Sequence, residues 1–346
     1  MFCGQRSDPF MARPRNMKVE WLVYAAVRVV VTALQWTPLS VGYRLAAVIA
    51  WVAYKVDKRH RTVALENLKI AFGDAMDDAE RDRVVRATYR HFISMIIEIA
   101  HIPYKLSLTT WRRYIRFDVE RDVLRHILRK KPVLLVTGHY GNWEMAGYLF
   151  GVYGFSPWSI YRKLDNPYLD RWLRQFREHT GQRMIPKKGG FDQMEEVLAS
   201  GGILCTVGDQ DAGPKGLFID FFGRPASTHK AMALMAIQHQ AMVVVGAARR
   251  LNGRFEYEVD IATVIKPEDL PTGPDAVDVL TRQMMAGLED IIRKDPTQYL
   301  WLHRRWKHKP PEPKARRKKR VDAAESPHPT VSPAETNLTQ VPGEIA

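Results

Sequence analysis

Five short apolar runs, PVLLVT (132–137), PWSIY (157–161), ILCTV (203–207), MVVVGAA (242–248) and FEYEVDI (255–261), punctuate the second half of this chain. Each is the length of one strand, and a strand buried in a sheet needs its faces covered. Segments of helical periodicity between them, PYLDRWLRQFREHT, FDQMEEVLAS and HKAMALMAIQHQ, supply that cover. The alternation predicts an α/β fold, a single central mixed sheet flanked by helices. Upstream, residues 77–130 carry a helical pattern opened by acids. A chain of 346 residues, 46% hydrophobic, is large enough to bury such a core.

Residues 21–54 add the second constraint. WLVYAAVRVVVTALQW is apolar apart from Arg28, Thr32 and Gln35, and Pro38 ends it. As a sixteen-residue helix it spans about 24 Å, short of the ~30 Å hydrocarbon core of a bilayer. A second run, LAAVIAWVAY, leads into KVDKRHR, whose positive charge suits a cytoplasmic membrane face. Residues 21–60 are therefore expected to be hydrophobic helices lying in or dipping into the membrane, as a monotopic or single N-terminal anchor. A helical hairpin buried against the rest of the protein is the alternative. Residues 1–20 are expected to be flexible, and 309–346, rich in Pro, Lys and Arg, to be disordered.

The net charge of +14 is unevenly spread: residues 304–320 hold ten Lys or Arg against one acid, and 321–346 hold four acids and neither Lys nor Arg. The body is still basic, which suits phosphorylated lipid, an acidic carrier protein or nucleic acid. Lys187, Lys188, Lys215 and Arg224 are either a basic rim for such a partner or ordinary solvated charge. WLHRRWK (301–307) mixes aromatics with cations, and beside a hydrophobic N-terminus it reads as a membrane-interface surface. Two cysteines, Cys3 and Cys205, fit a reducing compartment. Cys205 lies within an apolar run and reads as core.

The chemistry concentrates in LLVTGHYGNWEMAGYLF (134–150). His139 and Glu144 would face different sides of a continuous helix, about 140° apart. A turn flanked by Gly138 and Gly141 lets the two meet. PVLLVT is then a strand, GHYG the turn, and Asn142 the cap of a helix whose first turn carries Glu144. Glu144 is expected to hold one imidazole nitrogen, leaving the other as a general base for a hydroxyl, with backbone amides of the turn facing a developing oxyanion. Arg162 follows a predicted strand, where a guanidinium can hold a phosphate, and Asp209 in DQD follows another. DQD also admits a divalent ion and a sugar-nucleotide, a glycosyltransferase reading; two acids alone do not fix a metal, and none is expected. No Ser sits in a G-x-S-x-G elbow, so direct activation of a hydroxyl by His139 is favoured over a covalent serine intermediate.

GHYGNWE resembles the His-x4-acid motif of the lysophospholipid acyltransferase superfamily, in the form of the late acyltransferases of lipid A biosynthesis. IYRKLDNPYLDRWLRQFREHTG, LASGGILCTVGDQDAGPKGLFIDFFGRPAST and PTQYLWLHRRWK resemble its later blocks in order, so the likeness runs from about residue 61 to 307. The resemblance implies an acyltransferase domain over 61–308, with His139 as base, Glu144 as its partner, and Arg162 and Asp209 as substrate-binding residues. It implies a fatty acyl thioester donor, acyl carrier protein or CoA, a hydroxyl acceptor on an anionic glycolipid such as a lipid A precursor, and no cofactor. Acylation of another membrane glycolipid or aminolipid is the nearest alternative. A membrane-tethered, catalytically inactive polyanion-binding protein is a further one, though no nucleic-acid partner is expected.

Overall fold

The computed structural model describes residues 16–117 and 121–311. The expected flexible start and disordered tail therefore fall, for residues 1–15 and 312–346, outside the described residues. The described residues up to Pro310 form one compact unit. It opens with four helices, α1 (Met17–Trp36), α2 (Leu39–Val56), α3 (Lys58–Phe72) and α4 (Asp78–Lys105). Strands and helices then alternate as β1 (Ile115–Arg116), α5 (Arg121–Leu128), β2 (Val133–Thr137), α6 (Trp143–Val152), β3 (Trp158–Tyr161), α7 (Pro167–Glu178), β4 (Arg183–Pro186), α8 (Phe191–Ala199) and β5 (Ile203–Val207). A hairpin of β6 (Leu217–Phe221) and β7 (Arg224–Thr228) follows, then α9 (Ala231–Gln238), β8 (Met242–Arg250), β9 (Tyr257–Ile265) and α10 (Ala276–Lys294).

Seven strands form one sheet in the order β1-β9-β8-β2-β5-β3-β4, with β6 and β7 paired separately. Every neighbouring pair in the sheet is parallel except β8 and β9, so the sheet is mixed, as the alternation predicted. The five apolar runs supply β2, β3, β5, β8 and β9. The two-residue β1, the short β4 (RMIP) and the hairpin are additional elements that no apolar run announced.

The predicted 77–130 helix is interrupted. Asp77 caps α4 by accepting from Glu80 N at 2.7 Å. The helix buries Val84, Val85, Tyr89, Met95, Ile97 and Ile102 and stops at Lys105, two residues after Pro103. Proline cannot donate to the helical ladder, and the SLTT that follows (107–110) favours turns, so the chain leaves the helix and returns as β1 before α5.

α1 buries none of its residues, and Trp21, Leu22, Val23, Val29, Val30 and Trp36 face outward. α2 also exposes Val41, Leu45, Val48, Ile49, Trp51, Val52 and Val56, and among the described residues it is the helix long and apolar enough to cross a membrane. The C-terminal segment corrects one expectation. Trp301 and Arg305, read as part of a membrane-interface surface, are 0% and 1% exposed. Trp301 packs edge-on against Phe72 and Phe222 and donates Nε1 to Pro296 O, while Arg305 donates to Ser227 O and Thr228 Oγ1 at 2.6 and 2.7 Å. The ring finds more apolar surface inside than at an interface, and the guanidinium finds carbonyl and hydroxyl acceptors on β7.

Candidate active site

β2 and β5 are adjacent parallel strands in which Thr137 sits opposite Val207. Each strand is followed by a glycine, Gly138 and Gly208, and the residue after each glycine is therefore carried to the same height: His139 on one, Asp209 on the other. The two meet. His139 Nδ1 lies 2.7 Å from Asp209 Oδ1, and the His139 backbone N–H donates to Asp209 Oδ2 at 2.9 Å. One carboxylate thus fixes both the main chain and the ring of the histidine. The bond directs the proton to Nδ1 and leaves Nε2, with the Gln210 amide 3.4 Å away, on the open side. The ring rests edge-on against Trp143, centroids 5.2 Å apart.

Burial of the imidazole works to lower its pKa, but the charge and hydrogen bond of Asp209 override it, and His139 titrates above the ordinary 6.5. Burial would raise Asp209, yet His139 beside it and the bonds it donates hold the carboxyl below its usual range. Both directions favour the charged pair.

Glu144 does not hold His139. The helix start is as the sequence predicts, with Asn142 capping α6 by accepting from Met145 N at 3.0 Å and Glu144 in the first turn. Its carboxylate instead pairs with Arg177 of α7, Oε2 accepting from Nε at 2.9 Å and Oε1 from Nη2 in a second contact. A permanently charged, forked guanidinium outcompetes an imidazole for a carboxylate it can grip with two bonds. The Glu144 and Arg177 side chains are 9% and 18% exposed, so removing one strands the other away from water. Glu144→Ala is expected to lower folding stability by about 3 kcal/mol, read as a fall in melting temperature.

The turn itself is locked from behind. Gly141 has φ +58°, and a Cβ there would lie 2.0 Å from the Ala248 carbonyl oxygen, so only glycine fits. Its N–H donates to Gln298 O at 3.1 Å, and Asn142 N–H donates to Ala248 O at 2.9 Å. The amides of His139, Gly141 and Asn142 are therefore engaged, and these three do not face an oxyanion. A buried network braces the same turn. Arg250 donates to His91 Nδ1 at 3.0 Å and to Glu98 at 2.6 Å, and His91 Nε2 lies 3.1 Å from Gly141 O. Burial and the Arg250 charge push His91 well below the ordinary histidine value, so its neutral ring accepts from Arg250 and donates to Gly141. Tyr257 links this network to Asn142, whose Nδ2 donates to the phenol oxygen at 3.1 Å.

His139 opens onto a cavity of about 720 Å³ that Glu144, Arg162, Arg177, Lys187, Gln210 and His229 also line. Arg162, exposed after β3, shares this cavity with His139 and Glu144. Asp209 stands behind the imidazole, 3% exposed, and does not reach the cavity wall; the substrate-binding place expected for it is taken up by its grip on His139. Away from His139 the walls turn apolar. Leu135, Cys205 and Val244 form one row across β2, β5 and β8, in register, and line the cavity together with Val123 and Ile127 of α5, Leu149 of α6 and Tyr153, the residue after α6. Burial pushes the Cys205 thiol up to about 12, which fits a wall residue and not a thiolate nucleophile. The second acid of DQD, Asp211, accepts from Gly213 N at 3.1 Å and meets His308 Nδ1 at 2.7 Å, so the two acids face different partners. Lys187 lines the cavity, while Lys188, Lys215 and Arg224 are exposed outside it.

Gln210, Arg177 and the Arg250 network escaped the sequence reading. Their sole signal was position, Gln210 directly after Asp209 and Arg177 one strand–helix unit beyond Glu144.

Comparison with known proteins adds a separate line. Residues 11–308 match the family described as bacterial lipid A biosynthesis acyltransferase. The chain is 27% identical over 295 residues to the lipid A biosynthesis lauroyltransferase of Escherichia coli (strain K12), covering 84% of this chain and 92% of that protein. It is 28% identical over 262 residues to a lipid A biosynthesis acyltransferase of Haemophilus influenzae, covering 75% and 81%. A shorter similarity, 29% over 113 residues, covers 31% of this chain and 37% of the phosphatidylinositol mannoside acyltransferase of Mycolicibacterium smegmatis.

Proposed function

The chain belongs to the bacterial lipid A biosynthesis acyltransferase family, and from that premise we propose that it moves a fatty acyl chain from a thioester to a hydroxyl of a lipid A precursor, with His139 as general base. The observation that carries this reading is the His139–Asp209 pair at 2.7 Å, placed where a polar cavity mouth becomes an apolar channel.

In this scheme the acceptor hydroxyl gives its proton to His139 Nε2 as its oxygen attacks the thioester carbonyl. Asp209 stabilises the imidazolium that forms. The tetrahedral intermediate then collapses, the carbon–sulfur bond breaks, and the leaving thiolate takes the proton back from Nε2. Ester and free thiol are the products, and no cofactor or metal enters the balance. Arg162, Lys187 and His229 at the mouth suit the anionic groups of either substrate, and the Leu135–Cys205–Val244 row suits the acyl chain. The donor is an acyl carrier protein or CoA thioester. The outward apolar faces of α1 and α2 support association with the cytoplasmic face of the inner membrane, where an amphiphilic acceptor resides.

A second reading, acylation of another membrane glycolipid, draws on the partial similarity to the phosphatidylinositol mannoside acyltransferase. One experiment separates them: mass spectrometry of lipid A after deleting the gene and restoring wild type or His139→Ala. Loss of one acyl mass, recovered only by wild type, is the expected result. An unchanged lipid A profile with a change in another glycolipid supports the second reading instead.

A further inference from the structure

Apart from the catalytic cavity, four stretches of chain meet around a shallow, open depression: the first turn of α2, the last residue of α4, the segment before β1, and the turn between β8 and β9. Its floor is aromatic. Tyr114 and Phe255 pack edge to face with centroids 5.3 Å apart, and Lys105 Nζ lies 5.2 and 5.9 Å from the two rings. Arg113 and Arg254 add two more cations against one acid, Glu256. Among the described residues none of these three cations forms an ion pair with a carboxylate. The C-terminal end of α4 accounts for Lys105, since a cation there complements the helix dipole. Nothing comparable accounts for Arg113 and Arg254, both exposed.

The chain flanking these lining residues carries exposed apolar side chains. Trp36, Tyr104 and Leu108 are 86%, 73% and 67% exposed, and each lies within three residues of Leu39 or Lys105, which line the depression. Unpaired cations beside exposed Trp, Tyr and Leu are what a protein presents to the boundary between lipid headgroups and hydrocarbon.

We propose that this depression holds the anionic headgroup of a bilayer phospholipid, with Trp36, Tyr104 and Leu108 entering the adjoining acyl layer. A soluble acidic protein would match the cations but leave this apolar rim unused, which is why a lipid is the favoured occupant. The proposal rests on the reading of the protein as membrane-associated and is independent of its chemistry.

The test uses the full chain and two vesicle types, phosphatidylcholine alone and phosphatidylcholine with phosphatidylglycerol, with binding measured by co-sedimentation. Wild type is expected to prefer the anionic vesicles, and K105Q/R113Q/R254Q to lose that preference, its partition falling about a hundredfold on anionic vesicles and little on neutral ones. Acyl transfer in detergent micelles should match wild type, because none of the three residues touches the catalytic cavity. Should the triple variant fail to fold, R113Q/R254Q, which alters exposed positions alone, is expected to lose roughly thirtyfold. Unchanged anionic-vesicle binding in a folded variant overturns the proposal. So does an equal loss on both vesicle types, or retention on an immobilised acidic carrier protein that the variant loses while vesicle binding persists. A wild type inactive in micelles but binding anionic vesicles through these cations refutes the enzymatic reading and leaves the lipid site standing.

Discussion

Asp209→Asn is expected to lower kcat about 10³- to 10⁴-fold, approaching the loss from His139→Ala. The amide keeps the shape of the carboxylate but can turn an N–H toward Nδ1, moving the imidazole proton to Nε2 and leaving no base facing the cavity. Loss of the charge also removes what holds the His139 pKa above 6.5, so burial alone acts and drives it below. Wild-type activity should rise with pH as His139 loses its proton, with a midpoint above 6.5. In Asp209→Asn the residual activity should rise at lower pH. Glu144→Gln, altering a group paired with Arg177, should leave the midpoint where it is. A midpoint that moves in Glu144→Gln and stays fixed in Asp209→Asn would reverse the assignment of the two acids. The pair also tunes stability. The Asp209 contribution is lost as pH falls through its depressed pKa, and that of His139 as pH rises through its raised one, so the full benefit lies between them.

The second large effect concerns the acyl chain. The Leu135–Cys205–Val244 row lies four residues before His139 along β2, roughly 13 Å at the rise of a strand. Val244→Phe is expected to fill the channel at that depth and exclude the end of a long donor chain. Each excluded methylene forgoes about 0.8 kcal/mol of burial, a factor of about four, so losing three should cost the longest donors roughly fifty-fold in kcat/KM. Short donors should be nearly unaffected. Competition between long and short acyl thioesters, read by product mass, checks this; equal loss for all lengths would mean the chain lies elsewhere.

Much of this arrangement was legible beforehand. The strand, the glycine-flanked turn, the Asn142 cap and the place of Glu144 in the first helical turn all followed from local rules that the neighbourhood does not override. The partner of His139 did not, because local sequence names the nearest acid, whereas the sheet decides which acid is near. The clue was present in VTGH and TVGD, two strand ends of like pattern, but it becomes readable only once β2 and β5 are known to be neighbours. The burial of Trp301 and Arg305 was hidden for a similar reason. A segment of mixed aromatic and cationic residues looks like surface until β7 supplies acceptors and Phe72 and Phe222 supply a packing partner. The β6–β7 hairpin and β4 carry no uniform apolar stretch, so hydrophobic pattern alone passed over them.

Because the base and its acid are delivered by two neighbouring strands at matched positions, their alignment is a property of the main-chain ladder and not of any loop. Slippage of β5 by one residue would send the carboxylate to the opposite side of the sheet. The protein therefore acquires its proton-transfer geometry at the moment its innermost strands pair, and heating should abolish turnover together with amide protection at Leu135 and Cys205, whatever becomes of the outward-facing first helix.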